Sequence, residues 1–150
     1  MVNITDPEKA QSFTATLSTP QSNITGDGTL VTLVWDIVPA GFDYNTTTGI
    51  TTAKMKCIAT FTPNVRLTGL TASHTLGVGG SVATGQSFEW CRYKIGRYRS
   101  LSDNKVTISP TIPIILNVGD QVYFTLQISG GTKAVSLDST STLNVTMVPL

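Results

Sequence analysis

The residues from Gln121 to Ile128 alternate strictly between polar and apolar side chains. One face carries Val122, Phe124, Leu126 and Ile128, and the other carries Gln121, Tyr123, Thr125 and Gln127. A period of two over eight residues is typical of an antiparallel strand with one face in a core. A second apolar run precedes this strand across a Gly119-Asp120 turn, so the stretch Ile114–Ile128 predicts two strands. We expect the Asp120 side chain to cap backbone N–H groups of that turn.

The composition extends this prediction to the rest of the chain. Only 13% of the 150 residues are charged, and Thr alone makes up about a sixth of them. Thr is β-branched and favours strands. Short apolar segments are separated by turn signals about every ten residues, and none has a helical period. The sequence therefore predicts an all-β protein, an antiparallel β-sandwich of jelly-roll topology with roughly 8–10 short strands. Residues 1–11 are expected to be a lead-in segment and residues 12–150 a single jelly-roll domain.

Glycine and proline suggest where several strands end. We expect one strand from Thr51 to Phe61, ended by Pro63, and a separate short strand from Val65 to Leu70. The glycine-rich stretch Leu76–Gly85 is interpreted as a loop or a weak edge strand. Pro110 and Pro113 confine their segment to a sheet edge or a strand start, because proline lacks the N–H that a ladder needs.

The charge and hydropathy patterns exclude two classes of partner. The formal net charge is +1, whereas a general nucleic-acid binder carries a strong basic excess. No stretch approaches the roughly twenty apolar residues of a membrane span, so membrane insertion is not expected. The first residues lack the pattern of a signal peptide. This fits either assembly without secretion or a sequence that begins at a domain boundary.

The sequence contains no catalytic motif. His74 is the only histidine and lies among Thr and Ser, so no catalytic triad is predicted, and a solvent-exposed or interface position is expected. Gly26-Asp27-Gly28 with Asp43 could suggest calcium, but the carboxylate-rich loop that calcium prefers is missing. We therefore expect no enzyme activity, no cofactor and no metal. Cys57 and Cys91 fit free core thiols better than a disulfide, although the pairing stays open.

One stretch, 88–99, concentrates aromatic and basic residues. Its candidate ligand-binding residues are Trp90, Arg92, Tyr93, Lys94, Arg97, Tyr98 and Arg99. Trp, Tyr and Arg are enriched in binding hot spots, and arginine can bind a carboxylate through two hydrogen bonds. The alternative is a strand with inward aromatics and cationic side chains in solvent or at a subunit contact.

Four stretches together resemble the C1q/TNF-like jelly-roll family. They are the opening Phe13-Thr-Ala-Thr-Leu17, the connection Phe42-Asp-Tyr-Asn-Thr-Thr-Thr-Gly-Ile50, the turn and strand Leu116-Asn-Val-Gly-Asp-Gln-Val-Tyr-Phe124, and the closing segment Ser139–Leu150. The resemblance implies a homotrimer whose last strand lies beside the first at the trimer axis. It places Leu143, Val145 and Met147 at the trimer interface. Tyr123 is added because an aromatic on a polar strand face is expected to be covered.

The resemblance also implies a function. Similar Thr-rich, charge-poor domains form the trimeric heads of viral and phage fibres and spikes. The chain is therefore expected to be a non-enzymatic head that attaches to a host-surface glycan or protein, on a virion surface or outside cells. The alternatives are a structural jelly-roll capsid or cement protein, and a carbohydrate-binding or secreted C1q-like binding module.

Overall fold

The structure is a computed structural model that describes residues 9–94 and 104–150. Its described part consists of strands and connections without a helix, and so contains no helix long and apolar enough to cross a membrane. The strands are β1 (Gln11–Ala15), β2 (Gln21–Thr25), β3 (Leu30–Leu33), β4 (Thr51–Thr52), β5 (Cys57–Thr68), β6 (Leu76–Ala83), β7 (Gln86–Lys94), β8 (Val106–Ile108), β9 (Ile112–Leu116), β10 (Gln121–Ser129), β11 (Val135–Leu137) and β12 (Thr142–Pro149).

The strands form two antiparallel sheets that pack face to face. The first sheet has the order β1-β12-β5-β11-β2, and β8 and β9 also pair with β5. The second sheet has the order β3-β10-β6-β7, and the short β4 also pairs with β10. The predicted jelly-roll sandwich is confirmed. The described strands number twelve rather than eight to ten, because β4, β8 and β11 are pieces of only two or three residues.

Strand β10 forms the centre of the second sheet and has the alternation that its sequence predicts. Its four apolar residues, Val122, Phe124, Leu126 and Ile128, are fully buried. Across the sandwich the ring of Phe124 meets that of Phe61 on β5, with centroids 5.3 Å apart. Aromatic pairs at this spacing add stabilisation beyond the area that they bury. These contacts join the two sheets in one core.

The glycine-rich stretch predicted as a loop or weak edge is instead β6, an inner strand between β10 and β7. Its inward positions are small, and each lies opposite a large side chain of β10. The pairs are Gly77 with Ile128, Gly79 with Leu126, Ser81 with Phe124 and Ala83 with Val122. Small and large residues on neighbouring strands together fill the space under the sheet. Glycine therefore marks complementary packing here, and the prediction of a loop is wrong.

Pro63 does not end a strand, as the sequence suggested, but lies inside the twelve-residue β5. On one side it pairs with Leu143 of β12. On the other side β9 reaches only to Phe61 and β8 begins opposite Val65, so Pro63 falls between them. A proline is tolerated where the strand has no ladder partner on one side. Pro113, in contrast, lies on β9, which within the described part of the chain pairs only with β5, and so fits the predicted edge position.

The Gly119-Asp120 turn carries the chain from one sheet to the other. Strand β9 pairs with β5 in the first sheet, whereas β10 lies in the second. The Asp120 carboxylate accepts a hydrogen bond from the backbone N–H of Asn117 at 2.8 Å, as predicted. Gly119 has a φ of 90° and donates its N–H to the carbonyl of Ala53 at 2.7 Å. This left-handed backbone explains the glycine.

Candidate functional site

The outward face of the first sheet carries a row of exposed apolar side chains. Val148 of β12 pairs with Ile58 of β5, and Ile58 pairs on its other side with Ile115 of β9. These side chains are exposed to 49%, 38% and 66%, respectively. Three large apolar residues in register on neighbouring strands form a continuous surface, which we call the apolar row. Contiguous exposed apolar surface marks contact sites more often than isolated residues do.

On one side of the apolar row the neighbouring outward positions are polar and uncharged, whereas Lys56 is exposed at the next outward position on the other side of Ile58. Along β12 and β5 the outward positions next to it are Thr146 and Thr60, which pair with each other, followed by Asn144 and Thr62. Asn144 accepts a hydrogen bond from the hydroxyl of Thr14 on β1 at 2.6 Å. A face of hydroxyls and methyl groups can be covered by another protein without removing ions from water. Its chemistry suits a protein contact.

The structure corrects part of the predicted trimer interface. Leu143, Val145 and Met147 point into the space between the sheets and are buried in the core of their own chain. Their side chains therefore cannot supply a contact with another copy. The face of β12 that remains available is the opposite one, with Thr146 and Val148. The alternation in the sequence showed correctly that Leu143, Val145 and Met147 share one face of β12. Because the other face also contains an apolar residue, the sequence did not show which face packs in the core of the chain.

Tyr123 lies on the other side of the sandwich. It belongs to the outward face of β10 in the second sheet, where it pairs with Val82 of β6 and is half-buried. The structure therefore does not bring Tyr123 together with β12 in one surface. Its role at a contact between subunits stays a prediction.

The aromatic-basic stretch is only partly described. Trp90, Arg92, Tyr93 and Lys94 belong to β7, the last strand in the order of the second sheet. Arg97, Tyr98 and Arg99 lie outside the described residues. The register between β6 and β7 shifts between Gly79 and Gly80, which places a β-bulge beside Trp90. Bulges re-aim side chains at sheet edges. Among the described residues, the predicted patch therefore begins on the last strand of the second sheet.

Arg92 is exposed and already engaged by a neighbour. Its Nε and Nη2 donate to the two carboxylate oxygens of Glu89 at 3.1 and 2.5 Å. The hydrogen bonds from Arg92 lower the pKa of Glu89, and Glu89 in turn raises the pKa of Arg92. An acidic ligand would have to displace Glu89 to form the same paired bonds. The neighbouring Phe88, exposed to 51%, offers an apolar contact on the same strand.

His74 is buried, so the expectation of an exposed or interface histidine is wrong. Its Nδ1 accepts from the backbone N–H of Thr71 at 2.9 Å, and its Nε2 lies 2.9 Å from the carbonyl of Thr132. Because Nδ1 accepts, the proton is on Nε2, which donates to Thr132. Gly131 makes room, since a Cβ there would lie 2.6 Å from the ring. The imidazole ring joins two loops, and both of its nitrogens are occupied by hydrogen bonds to the backbone.

The acidic residues considered for calcium have structural partners. Asp27 accepts from the N–H and hydroxyl of Thr29 at 3.1 and 2.6 Å, which lowers its pKa. Asp43 pairs with Lys54 at 3.1 Å. Within residues 9–94 and 104–150, no group of three or more Asp, Glu, His or Cys residues could hold a metal ion. Cys57 is a free, buried thiol whose pKa is raised by burial.

Comparisons with known proteins identify the fold. No protein-family model and no curated protein matches the chain. Among solved structures, murine APRIL at pH 8.5 is similar with 11% identity and a TM-score of 0.58, over 93% of this chain and 100% of that one. The globular domain of zebrafish complement 1qA protein has 12% identity and a TM-score of 0.55, over 89% and 94% of the two chains. The Eiger TNF structure from S. frugiperda has 13% identity and a TM-score of 0.55, over 93% and 91%.

The chain has the C1q/TNF-like jelly-roll fold. The resemblance seen in the sequence is thereby confirmed, and the structure shows what the resembling residues do. In the Phe42–Ile50 connection, the buried Tyr44 hydroxyl accepts the backbone N–H of Trp35 at 2.8 Å. Gly49 has a φ of 75°, and a Cβ there would lie 2.6 Å from the carbonyl of Leu33. Tyr44 and Gly49 therefore hold this connection against the end of β3 and the residues that follow it.

Sequence reasoning missed the apolar row, although the sequence contains its signal. Ile58 follows Lys54 and Lys56 on the polar side of an alternating strand, and Ile115 interrupts the alternation of β9. An apolar residue at a polar position of an alternating strand indicates a strand face that is covered by another protein surface. The cross-strand register that sets the three residues side by side was not predictable from these strands separately.

Proposed function

We propose that this chain is a non-enzymatic head domain that forms a homotrimer and attaches to a host-surface glycan or protein. We place it at the tip of a viral or phage fibre or spike, and so on a virion surface or outside cells. The observation that carries the proposal is the apolar row, which lies on the sheet that contains both the first and the last strand. The C1q/TNF-like fold and the low charge of the chain support it.

Association through the apolar row follows from its exposure and surroundings. Each Å² of apolar surface removed from water contributes about 25 cal/mol, and three copies would bury three rows. The threonines beside the row add methyl groups and hydroxyls but no charge. A closed, symmetric arrangement is the usual outcome for one chain that binds itself. Attachment would then use the outer surfaces of the assembly, with the aromatic-basic stretch from Trp90 to Arg99 as one candidate.

The first test changes Ile115 to lysine. A charge at the most exposed member of the apolar row should convert the trimer to a monomer, because the ammonium group would be removed from water at the contact. Sedimentation velocity on the full chain measures this. Thr32→Lys is the matched control, since Thr32 is exposed on β3 of the other sheet and should leave the trimer intact. A wild-type monomer at micromolar concentration would overturn the proposed assembly.

The second test concerns attachment. Fluorescently labelled wild-type domain should bind host cells, and the Ile115→Lys monomer should bind more weakly by about 10²-fold or more, because three linked sites gain from multivalency. Loss of binding in Trp90→Ala together with Arg97→Ala would assign the contact to the aromatic-basic stretch. Assembly of the wild type into closed shells, without cell binding, would support the structural capsid or cement alternative instead.

A further inference from the structure

The connection that contains Tyr44 folds back on itself as a small hairpin. Three antiparallel pairs join its two arms, namely Asp43 with Thr52, Tyr44 with Thr51 and Asn45 with Ile50. The two outer pairs are held by backbone hydrogen bonds of 3.0 and 2.9 Å. Thr51 and Thr52 form β4, which pairs with β10, so the hairpin is part of the second sheet.

The two faces of this hairpin differ in exposure. Its middle pair, Tyr44 and Thr51, is buried, with exposed fractions of 7% and 1%. Neighbouring positions of an extended chain point to opposite faces, so the four side chains of the other two pairs share the outward face. These four are half-buried or exposed, and together with Phe42 and Tyr44 they line an open recess of about 250 Å³.

Hydrogen bonds hold the groups of the recess in place. The hydroxyl of Tyr44 accepts the backbone N–H of Trp35 at 2.8 Å. The side-chain oxygen of Asn45 accepts the N–H groups of Thr47 and Thr48 at 2.8 and 3.1 Å. The amide group of Asn45 is thereby oriented, and its NH2 group lies on the side away from these turn residues. A site whose groups are fixed before binding loses little conformational freedom when a ligand binds.

Three polar groups of the recess keep hydrogen-bonding capacity for a ligand. Among the described residues, Oδ2 of Asp43, the NH2 group of Asn45 and the hydroxyl of Thr52 have no hydrogen-bond partner. The other carboxylate oxygen of Asp43 lies 3.1 Å from Nζ of Lys54, and this ion pair balances the charge of Asp43. The recess thus combines an acceptor, a donor and a hydroxyl with two apolar side chains.

We propose that this recess binds an uncharged saccharide ring through two adjacent hydroxyls. One hydroxyl donates to Asp43, its neighbour accepts from the NH2 group of Asn45, and the apolar C–H face of the ring packs against Phe42. An uncharged sugar is favoured over an acidic one because a ligand carboxylate beside Asp43 would be repelled. This inference rests on the proposed role as a binding head and names the class of its ligand.

The size of the recess suits one sugar ring. Its volume is below the roughly 300–1,000 Å³ of sites for drug-sized ligands. A single ring has about a dozen non-hydrogen atoms, so we expect a dissociation constant of about 1 mM. Three such recesses on a trimer would bind a surface carrying many glycans more tightly through multivalency.

The test is an NMR titration of the isotopically labelled full chain with the methyl glycosides of glucose, galactose and mannose. At about 20 mM, well above the expected dissociation constant, at least one of them should shift the amide signals of residues 43–45 and 50–52. Methyl glucuronide carries a carboxylate on the same ring as glucose and should shift these signals less. Glycerol has adjacent hydroxyls but no ring, and should leave them unchanged.

Two nearly isosteric variants test the polar contacts. Asn45→Asp keeps an oxygen for the Thr47 and Thr48 N–H groups but removes the NH2 donor, and should weaken glycoside binding by about tenfold or more. Thr52→Val removes the hydroxyl at constant shape and should weaken it by about threefold or more. Asn23→Asp is the matched control, because it makes the same chemical change at an exposed position of β2 outside the recess. It should bind as the wild type does.

Three outcomes would overturn the inference. The first is that none of the three glycosides shifts the signals of the hairpin. The second is glycoside binding that both Asn45→Asp and Thr52→Val leave unchanged. The third is binding of methyl glucuronide or glycerol as tight as that of the best glycoside. If the wild type still forms trimers and attaches to cells in any of these cases, only the ligand class is wrong, and the proposed function stands.

Discussion

His74 shows how a single side chain can have a role opposite to the one its sequence suggests. Its neighbours Thr71, Ala72, Ser73 and Thr75 are all exposed, and they are small or polar, which predicted an exposed ring. The ring turns inward because Gly26 and Gly131 leave space for it and the Thr132 carbonyl accepts a hydrogen bond from its Nε2–H. Each of these partners lies more than forty residues away in the sequence. A residue with distant partners cannot be placed from its local pattern.

Replacing His74 with alanine should lower the free energy of unfolding by about 2–4 kcal/mol. The change opens a cavity and leaves the Thr71 N–H and the Thr132 carbonyl without their buried partner. Urea denaturation at pH 7 measures it. Ser73→Ala, at the exposed neighbouring position, should change stability by no more than about 0.5 kcal/mol. An equally small effect of His74→Ala would contradict the proposed link between the loops.

At the scale of an element, the formation of β6 as a strand depends more on its neighbour β10 than on the propensity of its own residues. Glycine has a low strand propensity, yet β6 pairs along its length with β10 and β7. The bulky inward residues of β10 need small partners, and β6 supplies them. Ser81, opposite Phe124, is buried and its hydroxyl has no hydrogen-bond partner among the described residues. The small volume of the side chain at position 81 therefore matters more for the packing than its hydroxyl group does.

Two substitutions at Ser81 should move stability in opposite directions. Ser81→Ala removes a buried hydroxyl without a partner and should leave the free energy of unfolding unchanged or raise it by up to about 1 kcal/mol. Ser81→Leu overfills the space opposite Phe124 and should lower it by about 1–3 kcal/mol. Thermal and urea denaturation of both variants check this. A destabilised Ser81→Ala would show that the hydroxyl has a partner.

At the scale of the whole molecule, several exposed carboxylates share one electrostatic pattern. Asp27, Asp36, Glu89 and Asp138 each have a pKa lowered mainly by a side-chain hydrogen bond, from Thr29, Ser18, Arg92 and Thr140, respectively. A carboxyl group whose pKa is lower in the folded state stabilises the fold above its unfolded pKa. That contribution is lost as the pH falls through the folded value. These side-chain bonds close turns and join neighbouring segments, so the loss should spread over the molecule.

The chain should therefore lose stability as the pH falls below about 4, the ordinary pKa range of carboxyl groups. In that range the unfolded chain binds more protons than the folded one, so stability rises with pH. Urea midpoints at pH 6, 4 and 2.5 measure the loss. Asp27→Asn removes one contributing group and should flatten the decline. A decline as steep as that of the wild type would show that the bonds from Thr29 do not contribute.

The sequence by itself determined the local structure and the fold class. Strict alternation fixed the inward face of β10, the Asp120 turn was recognisable from its residues, and the four resembling stretches indicated the C1q/TNF-like fold, which the comparisons confirm. These features depend on residues that are close in the chain, so a short window contains the whole interaction.

Tertiary structure decided which face of each strand is covered. On β12 both faces contain apolar residues, and only the packing of the second sheet shows that Leu143 is core while Val148 is surface. The apolar row combines residues of three strands through their register. Alternation groups residues by face, but register and packing between sheets arise from contacts across the chain. The candidate contact surface therefore became visible only in the folded molecule.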